Sequence, residues 1–195
     1  MELIAHDTDD TELAPRFTVR DYKDALQRQD KATIAEAIRR RFTDRYIYPV
    51  RTAPKRGFTI MAVSCLMIEA LECFRQGYET SFQRSKKAFC LFFDEFEPFK
   101  DLRGHVPAFY KHVRCGILHQ AETTDGWRIR RDETPLFDAT AQTVNANRFL
   151  EALEQTLNRF CDDLKTADWD SPQWKNVRKK MDAIVRNCDR SPDGP

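Results

Sequence analysis

Within eight residues the chain places His112, Arg114, Cys115 and His119. An imidazole moves a proton near neutral pH, and a guanidinium carries a permanent charge on a planar fork that grips phosphate oxygens. Together these groups supply what cleavage of RNA by its own 2′-hydroxyl requires: a proton carrier and a fixed cation for the charge that builds on phosphorus. Two other readings use the same residues. His112, Cys115 and His119 stand at i, i+3 and i+7, the spacing of three metal ligands on one helix face, although the sequence points to no fourth ligand. The plainest reading is a helix back that another element covers.

The element that must carry these residues runs from His105 to Thr123. At about 100° per residue, Val106, Phe109, Tyr110, Val113 and Ile117 form one apolar stripe, and His112, Cys115 and His119 fall on the opposite face with Arg114 on the flank. Five residues of ideal helix turn Arg114 and His119 about 140° apart and separate them by about 7.5 Å along the axis. An ideal single helix therefore does not build the pair. Gly116 between them loosens the turn, the long Arg114 side chain reaches around, or a second copy of the chain brings its own motif.

The rest of the chain reads as a mainly all-α protein, a bundle of about six helices with a small β-hairpin near residues 127 to 137. Thr18 and Asp30 are N-cap candidates for helices through Gln29 and Tyr48, with Pro49 and Pro54 as stops. Phe58 to Gly77 is apolar nearly all round and belongs at the centre of the bundle, so its Glu69 would need a partner if it faced inward. Thr80 or Ser81 caps a Phe-rich helix from Phe82 to Phe96. Trp127–Arg131 alternates apolar and basic residues as an edge strand does, with Leu136-Phe137 as its partner strand. Asn145 caps a helix from Arg148 to Lys165, and Ser171-Pro172 opens the last one. The acidic segment 1–17 reads as disordered or loosely docked and the tail 189–195 as disordered, leaving 18–188 as a single helical domain.

Thirty-two Lys and Arg against thirty-one Asp and Glu give a net charge of +1, so a polyanion must be held by local basic clusters. One such cluster is Arg39, Arg40, Arg41 and Arg45, continued by Arg51, Lys55 and Arg56; of these Arg40, Arg41 and Arg45 are candidate phosphate-binding residues. The apolar segment from Phe58 to Leu71 contains Glu69 and falls short of a bilayer span, and the N-terminus lacks a signal-peptide pattern. Six cysteines without a Cys-x-x-Cys pair read as reduced thiols of a cytoplasmic protein.

The run Phe109-Tyr110-Lys111-His112-Val113-Arg114-Cys115-Gly116-Ile117-Leu118-His119-Gln120 resembles the Arg-x4-6-His signature of the HEPN superfamily, set late in an all-α bundle as that family sets it. The resemblance implies a metal-independent endoribonuclease in which two protomers share one cleft, Arg114 stabilises the phosphate and His119 acts as general acid or base. It further implies RNA as substrate, with Gln120 beside it, a 2′,3′-cyclic phosphate product, no cofactor, no metal and no membrane partner. A toxin or phage-defence setting, with a cognate antitoxin or defence-system partner, belongs to the same expectation. One position departs from the family pattern: the residue after the arginine is commonly Asn, Asp or His, and here it is Cys115. Many HEPN domains are noncatalytic modules that bind nucleotide, RNA or a protein partner, and this is the alternative reading.

Overall fold

A reciprocal capping box opens the first helix. Thr18 Oγ1 accepts from the Asp21 N–H at 3.2 Å while Asp21 Oδ2 accepts from the Thr18 N–H at 2.8 Å, which satisfies two of the donors a helix start leaves orphaned. The computed structural model describes residues 8–51, 56–132 and 134–188. In it α1 spans Val19–Gln27 and α2 spans Lys31–Phe42, the latter capped by Asp30, whose carboxylate accepts from the Thr33 N–H at 3.0 Å. The chain then widens into a π-helical turn over Thr43–Ile47 and ends in the short α3, Tyr48–Arg51, with Pro49 inside it. Pro54 and Lys55 lie outside the described residues.

The helix α4, Gly57–Gln76, is the hub. It touches α3, α5 (Ser85–Glu95), α7 (Gly116–Gln120), α8 (Ala146–Thr166) and α9 (Pro172–Cys188). That explains its composition: Ile60, Met61, Cys65, Met67, Ile68 and Leu71 are all buried, and only a helix with neighbours on nearly every side has use for so little polar surface. It is long and apolar enough to cross a bilayer, but most of its apolar stretch is consumed by the core. Gly77 ends it in the left-handed conformation, φ +65°, where a Cβ would run into Asn176. The helix α5 starts at Ser85, three residues later than the Phe82 start expected from sequence. Its Phe89, Phe92 and Phe93 join Phe99, Phe109 and Phe149 in one buried aromatic cluster; Phe109 and Phe149 stack at 5.8 Å.

The mainly all-α class holds, and two details change. Residues 8–17 are ordered: Thr8–Asp10 forms a 3-10 turn, and β1 (Glu12–Ala14) pairs antiparallel with β2 (Phe17–Thr18). Leu13 and Phe17 are each only 2 % exposed. Acidic composition suggested disorder here, but these two apolar residues anchor the segment to the core, and burying such side chains is worth about 1.5–3 kcal/mol each. Residues 1–7 and 189–195 lie outside the described residues. The small β element also differs from a hairpin. Its first strand, β3 (Arg128–Arg130), does not pair with β4 (Phe137–Asp138). Instead β5 (Thr143–Asn145) lies between them, parallel to β3 and antiparallel to β4. The residues of β5 are all buried, so their polar-flanked three-residue run carried no alternation from which a strand could be read.

Candidate functional site

The helix expected from His105 to Thr123 is built in pieces. A 3-10 segment, Glu97–His105, leads into α6 (Val106–Ala108), then a π-helical stretch over Phe109–Cys115, then α7. The apolar stripe is as expected, with Val106, Phe109 and Val113 buried and Tyr110 and Ile117 packed against the core. The π-helical widening leaves backbone groups that the following loop serves. Thr124 N–H donates to the His112 carbonyl at 3.1 Å, while within the loop itself Thr123 Oγ1 donates to the Trp127 carbonyl at 2.6 Å. Such widened turns interrupt the regular helix face, and they occur often at functional sites.

Gly116 marks the junction between the π-helical stretch and α7. A Cβ there would stand 2.5 Å from the Glu122 carbonyl oxygen, a separation no real Cβ tolerates. Ala121, in the left-handed region at φ 56°, turns the chain back so that this carbonyl lies directly over the glycine. The close approach fixes where α7 ends, and hence where His119 and Gln120 sit.

Arg114 and His119 meet within one chain: Arg114 Nη1 lies 3.4 Å from His119 Nε2. With the guanidinium donating, Nε2 is the acceptor and the ring proton sits on Nδ1. His119 and Gln120 are exposed, whereas the Arg114 side chain is 14 % exposed. Its other end is held by Glu69 on α4, whose Oε1 accepts from both Nε and Nη2 at 2.9 Å. Ser85 Oγ donates to the second oxygen, Oε2, at 2.7 Å. The guanidinium also lies over the Tyr110 ring, 5.4 Å from its centre, and Nη1 reaches Cys115 Sγ at 3.9 Å. Burial works against the charge of Arg114, but the Glu69 hydrogen bonds outweigh it and hold its pKa above the ordinary arginine value. The Tyr110 hydroxyl is pushed up by burial.

Glu69 is therefore the residue the sequence flagged without assigning. It is 6 % exposed, it needed a partner, and that partner is Arg114. Its only sequence signal was an acidic residue in an otherwise apolar helix. Glu72, fully buried one turn further on, pairs with Arg75 and accepts from Gln76 at 3.3 Å, so the two carboxylates of α4 serve different partners. Burial is the largest influence on Glu72 and raises its carboxyl pKa in spite of Arg75. Ser85 and Tyr110 carried no signal at all, since their roles depend on how α5 and the π-helical stretch face α4.

The other expected residues lie elsewhere. His112 turns to the loop, with Nδ1 2.8 Å from Thr124 Oγ1 and Nε2 3.5 Å from Asp125. It does not join Cys115 and His119, and no set of three metal-ligating side chains comes together among the described residues. Arg40 donates to the Pro15 carbonyl at 2.8 Å, and Arg41 donates to the Leu13 carbonyl, which Arg45 approaches at 3.5 Å. These arginines clamp the N-terminal ribbon as well as presenting charge. Arg39 and Arg51 are matched by Asp162 and Glu154 on α8.

Compared with family models, with curated proteins and with solved structures, the chain shows no match.

Proposed function

We propose that the chain is a metal-independent endoribonuclease of the HEPN type that acts as a homodimer in the reducing cytoplasm. The observation that carries this reading is the Arg114–His119 contact at 3.4 Å, with the arginine oriented by Glu69. In the reaction the 2′-oxygen of RNA bonds to phosphorus as the bond to the 5′-oxygen breaks. As substrate enters, Arg114 Nη1 turns from the imidazole to the phosphoryl oxygens, the freed His119 Nε2 takes the proton from the 2′-hydroxyl, and the departing 5′-oxygen is protonated by His119 of the partner subunit. The products are a 2′,3′-cyclic phosphate and a 5′-hydroxyl. Exposed apolar side chains support dimerisation: Leu66, one helical turn before Glu69, is 43 % exposed, and Phe82, in the turn that precedes α5, is 73 % exposed. The toxin or phage-defence setting and an antitoxin partner follow the same resemblance.

Purified protein incubated with mixed RNAs in chelator tests the proposal. Cleavage ending in cyclic phosphate is expected, with a loss of about 10²-fold or more in His119→Ala. RNA left intact by the wild-type protein overturns the enzyme reading.

A noncatalytic helical module is the second reading, favoured by one observation. Glu69 occupies two of the Arg114 donors and neutralises the charge that would face a phosphate. Under it, RNA or another ligand binds and leaves unchanged.

A further inference from the structure

Two adjoining cavities run along one side of α4. The first, of about 400 Å³, is lined by Arg41, Arg45, Tyr46, Lys180 and Asn187 among others. The second, of about 330 Å³, shares Tyr46, Ala70 and Lys180 with it and reaches Leu66, Glu69, Thr80 and Ser81. The shared residues make them neighbours, and Glu69, the carboxylate holding Arg114, lines the second.

The charge along these cavities is one-sided. Among the described residues no Asp or Glu lines the first cavity. The polar contacts of Arg41, Arg45 and Lys180 are to backbone carbonyls, those of Leu13 and Glu79, and among the described residues none of the three forms an ion pair with a carboxylate. The two acids of the second cavity are already matched, Glu69 to Arg114 and Glu79 to Arg186. Burial and, after it, charge repulsion act in the same direction here. Burial, then repulsion from Arg45, lowers the Arg41 pKa to about 10. Burial also lowers that of Lys180, with repulsion from Arg41 adding to it. A protein with a net charge of +1 has no electrostatic need to gather in one cleft three cations that, among the described residues, pair with no carboxylate. An anion there relieves the repulsion, and a chain of anions spans both cavities.

We propose that this cleft is a binding track for the phosphodiester backbone of single-stranded RNA, in which Arg45 and Lys180 hold phosphates of the strand that reaches Arg114 and His119. The choice of RNA rests on the function proposed above; the cation cleft itself does not. Phosphates on such a track displace counterions, so each contact adds about 0.7 to the steepness with which affinity falls as salt rises.

The test uses a fluorescent 2′-O-methyl RNA dodecamer, which lacks the nucleophile and stays intact whether or not the protein is a nuclease. Of the two arginines on the Leu13 carbonyl, Arg41 is the closer and Arg45 meets it only at 3.5 Å, so the variants are Arg45→Ala, Lys180→Ala and, as a surface control, Lys100→Ala, each checked for unchanged thermal unfolding. The expected result is a slope of log affinity against log salt reduced by about 0.7 in each cleft variant, unchanged in Lys100→Ala and restored in Lys180→Arg. Slopes that do not move in the cleft variants, an equal change in Lys100→Ala, or a wild-type protein that does not bind the oligomer would each overturn the track. Binding that depends on Arg45 and Lys180 in a protein that cuts no RNA sustains the track and removes the enzyme. Cleavage with unmoved slopes does the reverse.

Discussion

Glu69 and Arg114 stand 45 positions apart and join through a forked contact, two guanidinium nitrogens at 2.9 Å from one carboxylate oxygen. Their side chains are 7 % and 14 % exposed. The pair ties the hub helix α4 to the π-helical stretch and fixes which way Arg114 points. Removing one partner leaves the other buried and uncompensated, a loss of about 3–5 kcal/mol. Glu69→Ala is expected to destabilise the fold by about that much in denaturant unfolding. The double variant with Arg114→Ala should recover part of the loss, because neither charge is then stranded. Strictly additive losses would show that the contact is not coupled.

Gly116→Ala sets a methyl group against the Glu122 carbonyl. The backbone must move, at a cost of about 1–3 kcal/mol, and α7 moves with it. Gly104→Ala is the matched control, since a Cβ at Gly104 meets nothing within 4 Å among the described residues. Thermal unfolding should separate the two substitutions clearly. If Gly116→Ala melts like Gly104→Ala, the loop does not press on the helix as described.

Asp30 makes the stability depend on pH. Hydrogen bonds from the Thr33 backbone and side chain hold its pKa below the ordinary value of 3.8. A group whose folded-state pKa is depressed contributes stability above its unfolded pKa and loses it as pH falls through the lower, folded value. Asp30→Ala should therefore cost about 1 kcal/mol at neutral pH, the usual worth of an N-cap. The difference from wild type should shrink below pH 3.8, which urea unfolding across that range measures.

Dimerisation through the face that carries Leu66 and Phe82 predicts a mass twice that of the 22.9 kDa chain in light scattering. Phe82→Asp should shift the protein toward monomer without changing its helical content, since this ring is already 73 % exposed. A monomer at every concentration would remove the shared cleft.

Elements whose causes are local were legible in the residues alone. Thr18, Asp30 and Asn145 cap the helices they were expected to cap, because a cap is a contract between neighbours two or three positions apart. The apolar run of α4 marked it as central, because a helix without a polar face has to be surrounded. The Arg114 and His119 motif was visible as residue types and spacing. Ideal helical geometry put the two on different faces, and only the folded chain could bring them within 3.4 Å. The π-helical widening is served by loop residue Thr124, whose N–H reaches back to the His112 carbonyl, and Gly116 leaves room for the Glu122 carbonyl. The partner of Glu69 was undecidable for the same reason: any of several arginines could have reached it along the sequence, and helix packing chose Arg114. Likewise the three cations of the proposed track, Arg41, Arg45 and Lys180, come from the second and last parts of the bundle. Local pattern fixes the caps, the apolar faces and the identity of the chemical groups. Their orientation toward one another is set by long-range packing, which no short stretch of sequence encodes.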